Sequence, residues 1–156
     1  MNQIILANCV EFMSEKMEPN SIDLTVTSPP YDSLRDYNGY TFDCASVAQG
    51  LFRVTKEGGV VVWVVADKIK NGNKSLTSFK QAILFQDVGF NVHDVMIYRK
   101  KNTPFMRSNA YTNCYEFMFV FSKGVEVLTK TNSYSIPYDG PSKSAFEKWL
   151  PFTKGD

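Results

Sequence analysis

The most constraining feature of the sequence is an uninterrupted apolar run at residues 60–66, Val-Val-Val-Trp-Val-Val-Ala. A strand with one face in water alternates apolar and polar residues, whereas a strand that is covered on both faces is apolar throughout. The run is rich in valine, which favours strands, and it is far shorter than the roughly 20 residues of a membrane-spanning helix. It therefore predicts a parallel sheet flanked by helices, in an α/β fold.

The residues before this run repeat a strand-then-helix order. Residues 4–6 are predicted to form a short strand, and Val10, Met13 and Met17 then recur at helical spacing. The β-branched residues of segment 22–27 predict the next strand. Alternating strands and helices are typical of parallel sheets, so this order supports the same fold class.

Two further helices are predicted by apolar stripes. One begins after Asp43, which can cap it, and ends at the glycines of residues 58–59. The other lies shortly before residue 89. The stripes are Val47, Leu51 and Val54 in the first helix, and Leu76, Phe79 and Ile83 in the second.

The last predicted elements are two strands on either side of a polar, basic loop. Residues 90–98 form the first, and the aromatic residues 115–122 form the second, which we expect to pair antiparallel with it. From residue 125 to residue 156 the pattern weakens into Ser, Thr, Tyr and Pro. This last segment is predicted to be a loop-rich insertion or the start of another module.

Length and composition are those of one ordinary soluble domain. The chain has 156 residues, of which 44% are hydrophobic and 21% are charged. It shows no apolar run long enough for a membrane span and no signal-peptide pattern, so we expect no membrane association and a cytoplasmic location.

Cysteines and histidines do not suggest a metal site or a disulfide framework. Cys9, Cys44 and Cys114 are odd in number and far apart. The single histidine, His93, leaves little for a zinc site or a Ser-His-Asp triad and is interpreted as an ordinary strand residue.

The motif that suggests chemistry is Ser28-Pro29-Pro30-Tyr31, which follows the strand at residues 22–27 directly. Two prolines cannot continue strand pairing, so the motif is predicted to lie at the carboxyl end of that strand. Ligands of open α/β sheets bind outside such strand ends. The alternative is that these residues form a proline-rich linker without a function in binding. It fits poorly, because regular strand and helix patterns lie on both sides.

These residue types suit the activation of an aromatic amine. The exocyclic amino group of a base is a poor nucleophile because its lone pair is delocalised into the ring. The Ser28 hydroxyl and the Pro29 carbonyl can each accept one amino hydrogen, which draws the nitrogen toward tetrahedral geometry. Pro30 helps to hold these acceptors rigid, and Tyr31 offers a face on which an extruded base can stack, although it can also serve only as a loop anchor.

The chain resembles the amino-group DNA methyltransferases that modify N4 of cytosine or N6 of adenine, in the permuted beta class. Residues 22–31, Ile-Asp-Leu-Thr-Val-Thr-Ser-Pro-Pro-Tyr, resemble motif IV of that family in its form with serine first. Further segments follow in the family's order, at residues 52–60, 88–90, 98–102 and 115–124. The resemblance implies a Rossmann-like class I methyltransferase sheet, largely parallel with an antiparallel C-terminal hairpin.

The resemblance also implies S-adenosylmethionine as methyl donor and double-stranded DNA as substrate, in the setting of restriction and modification. In the beta class a cofactor loop of the form Asp-Pro-Phe-x-Gly-x-Gly comes later in the chain, and no such loop is present in these 156 residues. We therefore expect a missing C-terminal segment or a second subunit to carry it. Without the cofactor strand, the motif IV strand is expected to have an unpaired edge.

Asn8 stands where members of the family often have an acid that contacts the adenosine end of the cofactor. An amide oxygen can accept the same hydrogen bond, so the resemblance implies Asn8 and Ser28 as cofactor-binding residues. The plainer alternative is that Asn8 caps the helix that begins near Cys9.

A basic segment suits contact with nucleic acid. Residues 95–115 contain Arg99, Lys100, Lys101 and Arg107, interleaved with aromatic residues and without a carboxylate. Cations neutralise phosphates and aromatic rings stack on bases, although a solvated charge cluster would look the same in sequence. Asp67, at another strand end, is interpreted as a turn residue, and Lys123, Lys143 and Lys148 as solvated surface.

The sequence thus predicts a catalytic portion at residues 1–124 and, from the resemblance, the start of a target-recognition region at residues 125–156. The predicted reaction is methyl transfer to the exocyclic amino group of a flipped base, with cytosine N4 favoured by the leading serine. The alternatives are adenine N6, an RNA or small-amine substrate, and a DNA-binding fragment without catalysis.

Overall fold

The computed structural model describes residues 2–30, 42–101 and 114–124. Their helices and strands, in chain order, are α1 (Cys9–Glu15), β1 (Ile22–Thr27), α2 (Cys44–Val54), β2 (Thr55–Val65), β3 (Ile69–Lys70), β4 (Asn73–Lys74), α3 (Thr77–Val88), β5 (Asn91–Arg99) and β6 (Tyr115–Ser122). The predicted α/β class is confirmed. None of the helices in these ranges is long and apolar enough to cross a membrane.

The main sheet has four strands in the order β1-β2-β6-β5. β1 pairs parallel with β2, with Thr27 opposite Trp63. β6 runs antiparallel to both of its neighbours, so the predicted hairpin of β5 and β6 is confirmed. β1, β2 and β5 therefore point the same way, and their carboxyl ends lie at one edge of the sheet.

The hydrophobic core lies on the face of the sheet that the helices cover. Val61, Trp63 and Val65 of β2 are buried there together with residues of all three helices. Aromatic rings dominate the centre, where Phe85 of α3 stacks on Phe121 of β6 at a centroid distance of 4.4 Å. This packing fixes β2 and its neighbours, and with them the loops at their carboxyl ends.

The predicted two-sided cover of residues 60–66 is not found among the described residues. Val60 and Val62 are half-buried on the face away from the helices. Beside them on β1, Leu24 is 58% exposed and Val26 is 64% exposed. β1 is also the terminal strand of the described sheet, as the sequence led us to expect.

Two boundary predictions were wrong. Residues 4–6 form no strand, and Ile4 and Leu6 are fully exposed, because no described strand lies beyond β1 to pair with them. α2 does not extend to the glycines at residues 58–59. It ends at Val54 and continues directly into β2, where the hydroxyl of Thr55 donates to the Leu51 carbonyl at 2.6 Å. Gly58, at φ 76°, then lies where the register between β1 and β2 shifts.

α3 was predicted correctly as a helix, but its buried face was not. The stripe of Leu76, Phe79 and Ile83 is about half exposed. The buried positions include Gln81, Ala82 and Phe85. Gln81 is drawn inward because its Oε1 accepts a hydrogen bond from the indole Nε1 of Trp63 at 2.9 Å.

Candidate active site

The acceptor loop, residues 28–31, leaves the carboxyl end of β1 as predicted. Ser28 is exposed, Pro29 is buried and Pro30 is half-buried. Tyr31 lies outside the described residues, so its predicted stacking role stays a prediction. A buried proline between the exposed serine and the next proline gives the loop a fixed base, because each ring restricts its own φ and the residue before it.

A cavity of about 390 Å³ opens beside this loop. Ser28, Pro29 and Pro30 form one part of its wall, and the hydroxyl-bearing Thr25 and Thr27 of β1 lie next to them. Apolar side chains of the helices and of β2 form most of the rest, among them Met13, Val47, Leu51, Val54 and Trp63. The site therefore combines a few polar atoms near the loop with walls that suit a flat apolar surface.

The Trp63 side chain, which forms part of the cavity wall, is held in place by several neighbours. Its indole packs on Phe85 at 4.8 Å and on Phe42 at 6.2 Å, measured between ring centroids, and it donates to Gln81. From the sequence, Trp63 was expected only as part of a buried strand, and neither its place in the cavity nor the role of Gln81 was predicted. The one available signal was its position near the carboxyl end of β2.

The basic segment lies at the same edge of the sheet. Arg99 ends β5 opposite Tyr115, and Lys101 is exposed. Lys100 forms an ion pair with Glu116, and its backbone N–H donates to the Cys114 carbonyl at 2.7 Å. Arg107 lies outside the described residues. The structure thus brings three of the four predicted DNA-contacting cations together, one of them already paired with a carboxylate.

Strand spacing gives the distance between this segment and the acceptor loop. β5 is three strand positions from β1, which corresponds to roughly 14 Å across the sheet edge. The two sites therefore do not touch.

The family of this chain follows from its similarity to known proteins. The pattern of the N6/N4 DNA methylase family matches residues 22–154. This chain belongs to that family. The orphan methyltransferase M.BamHII of Bacillus amyloliquefaciens is 56% identical over 112 residues, which cover 72% of this chain and 42% of M.BamHII.

Solved structures share the methylase fold. TTHA0409 of Thermus thermophilus, which has also been solved in complex with S-adenosyl-L-methionine, matches with a TM-score of 0.63 at 21% identity, over 92% of this chain and 58% of its own. PvuII DNA methyltransferase, which is cytosine-N4-specific, matches with a TM-score of 0.60 at 18% identity, over 78% of this chain and 48% of its own. The predicted class I methyltransferase sheet is confirmed, and this methylase chain spans less than two thirds of each of these relatives.

In this methylase chain Asn8 is the N-cap of α1. Its side-chain oxygen accepts from the Val10 N–H at 3.0 Å, which is the plainer of the two roles that the sequence suggested. Cys9, the next residue, lines the cavity beside the acceptor loop. Asn8 is therefore near the site, and its contact with the cofactor stays a prediction.

Two further interpretations need correction. Asp67 caps α3, because its Oδ1 accepts from the Ser78 N–H at 2.9 Å where the N-cap residue Leu76 contributes no side-chain hydrogen bond. Lys123 is not solvated surface. It is 8% exposed and lies at the end of β6, at the edge of the sheet opposite the acceptor loop.

Proposed function

We propose that the full-length protein transfers a methyl group from S-adenosylmethionine to the exocyclic amino group of a base in double-stranded DNA. The observation that carries this proposal is the acceptor loop: Ser28 is exposed beside the cavity while Pro29 is buried at the carboxyl end of β1. Membership of the family supports the reading of this loop as motif IV of the amino-group methylases.

The acceptor loop supplies two hydrogen-bond acceptors with little freedom to move. The Ser28 hydroxyl and the Pro29 carbonyl take the two amino hydrogens, so that the nitrogen lone pair turns out of the plane of the base. Pro30 keeps Pro29 extended, and Tyr31 stacks on the flipped ring. The contribution of this chain is therefore to bind, orient and activate the acceptor amine.

S-adenosylmethionine supplies an electrophilic methyl group on a sulfonium sulfur. The described residues do not make a complete site for it, because the cavity beside Ser28 is largely apolar and the cofactor carries ribose hydroxyls, a carboxylate and an ammonium group. The Asp-Pro-Phe-x-Gly-x-Gly loop is also absent from the sequence. We propose that another segment of the protein, or a second subunit, carries this loop and lies beside β1, with Asn8 as a contact at the boundary.

Cytosine N4 is our first choice of target atom, because serine leads the motif. Adenine N6 is the second, since its amino group needs the same two acceptors. Residues 1–124 would form the catalytic portion, and residues 125–156 would begin the target-recognition region. Arg99, Lys100, Lys101 and Arg107 would contact phosphates near the flipped base.

The test is transfer of labelled methyl groups from S-adenosylmethionine to mixed duplex DNA by the full-length protein, followed by digestion to nucleosides. We expect label in one modified nucleoside, whose identity separates cytosine from adenine and DNA from RNA substrates. Ser28→Ala should lower kcat by about 10²- to 10³-fold, as the loss of one preorganised hydrogen bond does in other enzymes.

The matched control is Ser14→Ala, an exposed serine of α1 whose hydroxyl donates only to the Glu11 carbonyl among the bonds described. It should retain the wild-type rate. DNA binding by a folded wild-type protein that transfers no label would instead favour the non-catalytic alternative.

A further inference from the structure

The strands β3 and β4 form a short hairpin that follows the carboxyl end of β2. Ile69 pairs with Lys74 and Lys70 pairs with Asn73. The two turn residues both have positive φ, 51° at Asn71 and 76° at Gly72. Positive φ at both positions is typical of the type I′ turn, whose twist matches that of the two strands it connects. Apart from Gly72 itself and its two chain neighbours, no described residue has an atom within 4 Å of the position that a Cβ on Gly72 would take. The hairpin, here called the β3–β4 arm, therefore has a defined shape and a tip in open space.

The base of the arm is fastened to the rest of the fold. The Ser75 N–H donates to the Lys68 carbonyl at 2.8 Å, and the Lys68 N–H donates to the Ser75 hydroxyl at 3.1 Å. Lys74 reaches β6, where its Nζ lies 3.3 Å from the Tyr115 hydroxyl and 5.5 Å from the centre of the Tyr115 ring. These contacts hold the arm against the start of α3 and the start of β6.

The chemistry of the arm favours an anionic partner. Residues 68–74 include three lysines, and Asn71 and Asn73 add amide donors. The only carboxylate close in sequence is Asp67, whose Oδ1 is engaged by the first turn of α3. The N-terminus of a helix carries a partial positive charge, which offsets the negative charge of the aspartate.

The position of the arm in the fold indicates which anionic partner it contacts. It follows the carboxyl end of β2 as the acceptor loop follows that of β1, and the two strands are parallel neighbours, about 4.8 Å apart. On its other side lie β6 and the end of β5 with Arg99. The arm therefore follows a strand that lies between the strand of the acceptor loop and the strand that leads into the basic segment.

We infer that the β3–β4 arm contacts the sugar–phosphate backbone of duplex DNA beside the target base, with Lys68 and Lys74 as phosphate-binding residues. The inference rests on the proposed DNA substrate, and it adds contacts that the sequence motifs do not indicate. Because phosphates carry no base identity, the arm fixes the position of the duplex and leaves recognition of the target sequence to other residues.

The test is equilibrium binding of the full-length protein to duplexes with and without methylation sites, over a series of salt concentrations. Each phosphate contact that is lost lowers the slope of log K against log salt concentration by about 0.9. Lys68→Gln combined with Lys74→Gln should lower the slope by about 2 on both duplexes.

The matched control is Lys16→Gln combined with Lys56→Gln. Lys16 follows α1 and Lys56 pairs with Asp23 near the start of β1, both at the opposite edge of the sheet. This control should keep the wild-type slope. Because substitutions at the base of the arm can disturb folding, Asn73→Asp, which adds a negative charge at an exposed position, is a second variant and should weaken binding to both duplexes.

The outcomes separate the inference from the proposed function. An unchanged slope in the variant with both arm lysines replaced, with labelled methyl transfer intact in the wild type, overturns the role of the arm and leaves the methyltransferase proposal standing. A lowered slope in that variant, together with a wild-type protein that transfers no methyl group, supports the arm and overturns the enzyme. A slope lowered equally by the control pair shows only a general charge effect and also overturns the arm.

Discussion

Lys123 is a buried cation whose ammonium group donates to three oxygen atoms. These are Asn20 Oδ1 at 2.7 Å, the Phe52 carbonyl at 2.8 Å and the Thr55 carbonyl at 3.1 Å. They account for all three N–H donors of a lysine. The burial could not be predicted from the sequence, because the acceptors lie 68 to 103 positions earlier in the chain and two of them are backbone atoms.

We predict that Lys123→Met lowers the free energy of unfolding by about 2–3 kcal/mol, because three acceptors lose a charged donor at a largely buried position. Urea denaturation of the two proteins measures the change. Lys56→Met is the control, since its ion pair with Asp23 is solvent-exposed and should contribute less than about 1 kcal/mol. Equal changes in both variants would contradict a special role for Lys123.

Ser28 and Trp63 show what could and what could not be predicted about the site from the sequence. The place of Ser28 at a strand end followed from two prolines that stop pairing, which is a local effect. The place of Trp63 in the cavity wall depends on Gln81 and Phe42, which approach it from distant parts of the chain. The acceptor loop was therefore predictable, and the cavity beside it was not.

Helix ends are held by side chains in each of the first two helices. Asn8 and Asp43 accept backbone N–H groups at the starts of α1 and α2. At the end of α1, the guanidinium of Arg53 donates to the carbonyls of Met13, Ser14 and Met17. These bonds satisfy groups that a helix leaves unpaired at its ends, and Arg53 joins α1 to α2 at the same time.

The cap at Asp43 predicts a dependence of stability on pH. Hydrogen bonds from the Ser46 hydroxyl and then from the Ser46 N–H lower the pKa of Asp43 below its ordinary value of 3.8. A carboxyl group with a lowered pKa in the folded state stabilises the fold fully above its ordinary pKa, and this contribution is lost as the pH falls through the lowered value. Asp43→Asn keeps a capping oxygen but cannot titrate.

We therefore expect the unfolding free energy of the wild type to fall more steeply than that of Asp43→Asn between about pH 5 and pH 2, in urea titrations at each pH. Asp87→Asn, an exposed carboxylate near the end of α3, controls for the loss of one charge and should follow the wild-type profile. Parallel profiles of the wild type and Asp43→Asn would show that the cap contributes nothing that depends on protonation.

The presence of helices and strands was easier to predict from the sequence than the packing around them. β1 and β6 have the predicted bounds because both are β-rich segments between clear breaks. The face of α3 was misassigned because apolar residues lie on more than one side of it, and a buried hydrogen bond to Trp63 selects the side with Gln81. The strand at residues 4–6 was misassigned because local preference cannot supply a neighbouring strand.

At the scale of the whole molecule, the described helices cover one face of the sheet, and no described helix or strand covers the other. Leu24 and Val26 on β1 lie beside Val60 and Val62 on β2, and together they form an apolar surface that continues to the outer edge of β1, where no strand of the described residues pairs. Singly exposed apolar residues are ordinary, but a contiguous patch on a sheet marks an interaction surface. Under the proposed function, this surface and edge receive the segment that carries the cofactor loop.

This arrangement predicts that the 156-residue chain by itself binds S-adenosylmethionine more weakly than micromolar, by calorimetry, and that the full-length protein binds it tightly. In the full-length protein, Val26→Lys should weaken cofactor binding by about tenfold or more, because a charge would be buried without a partner beneath the added segment. In the 156-residue chain the same change should have little effect on stability, since Val26 is exposed there.

Val95→Lys is the control. Val95 is an exposed residue of β5, the outer strand on the side of the sheet away from β1, so this substitution should leave cofactor binding unchanged. Micromolar binding by the 156-residue chain would contradict the division of the site, and equal effects of the two lysine substitutions would place the cofactor segment somewhere other than beside β1.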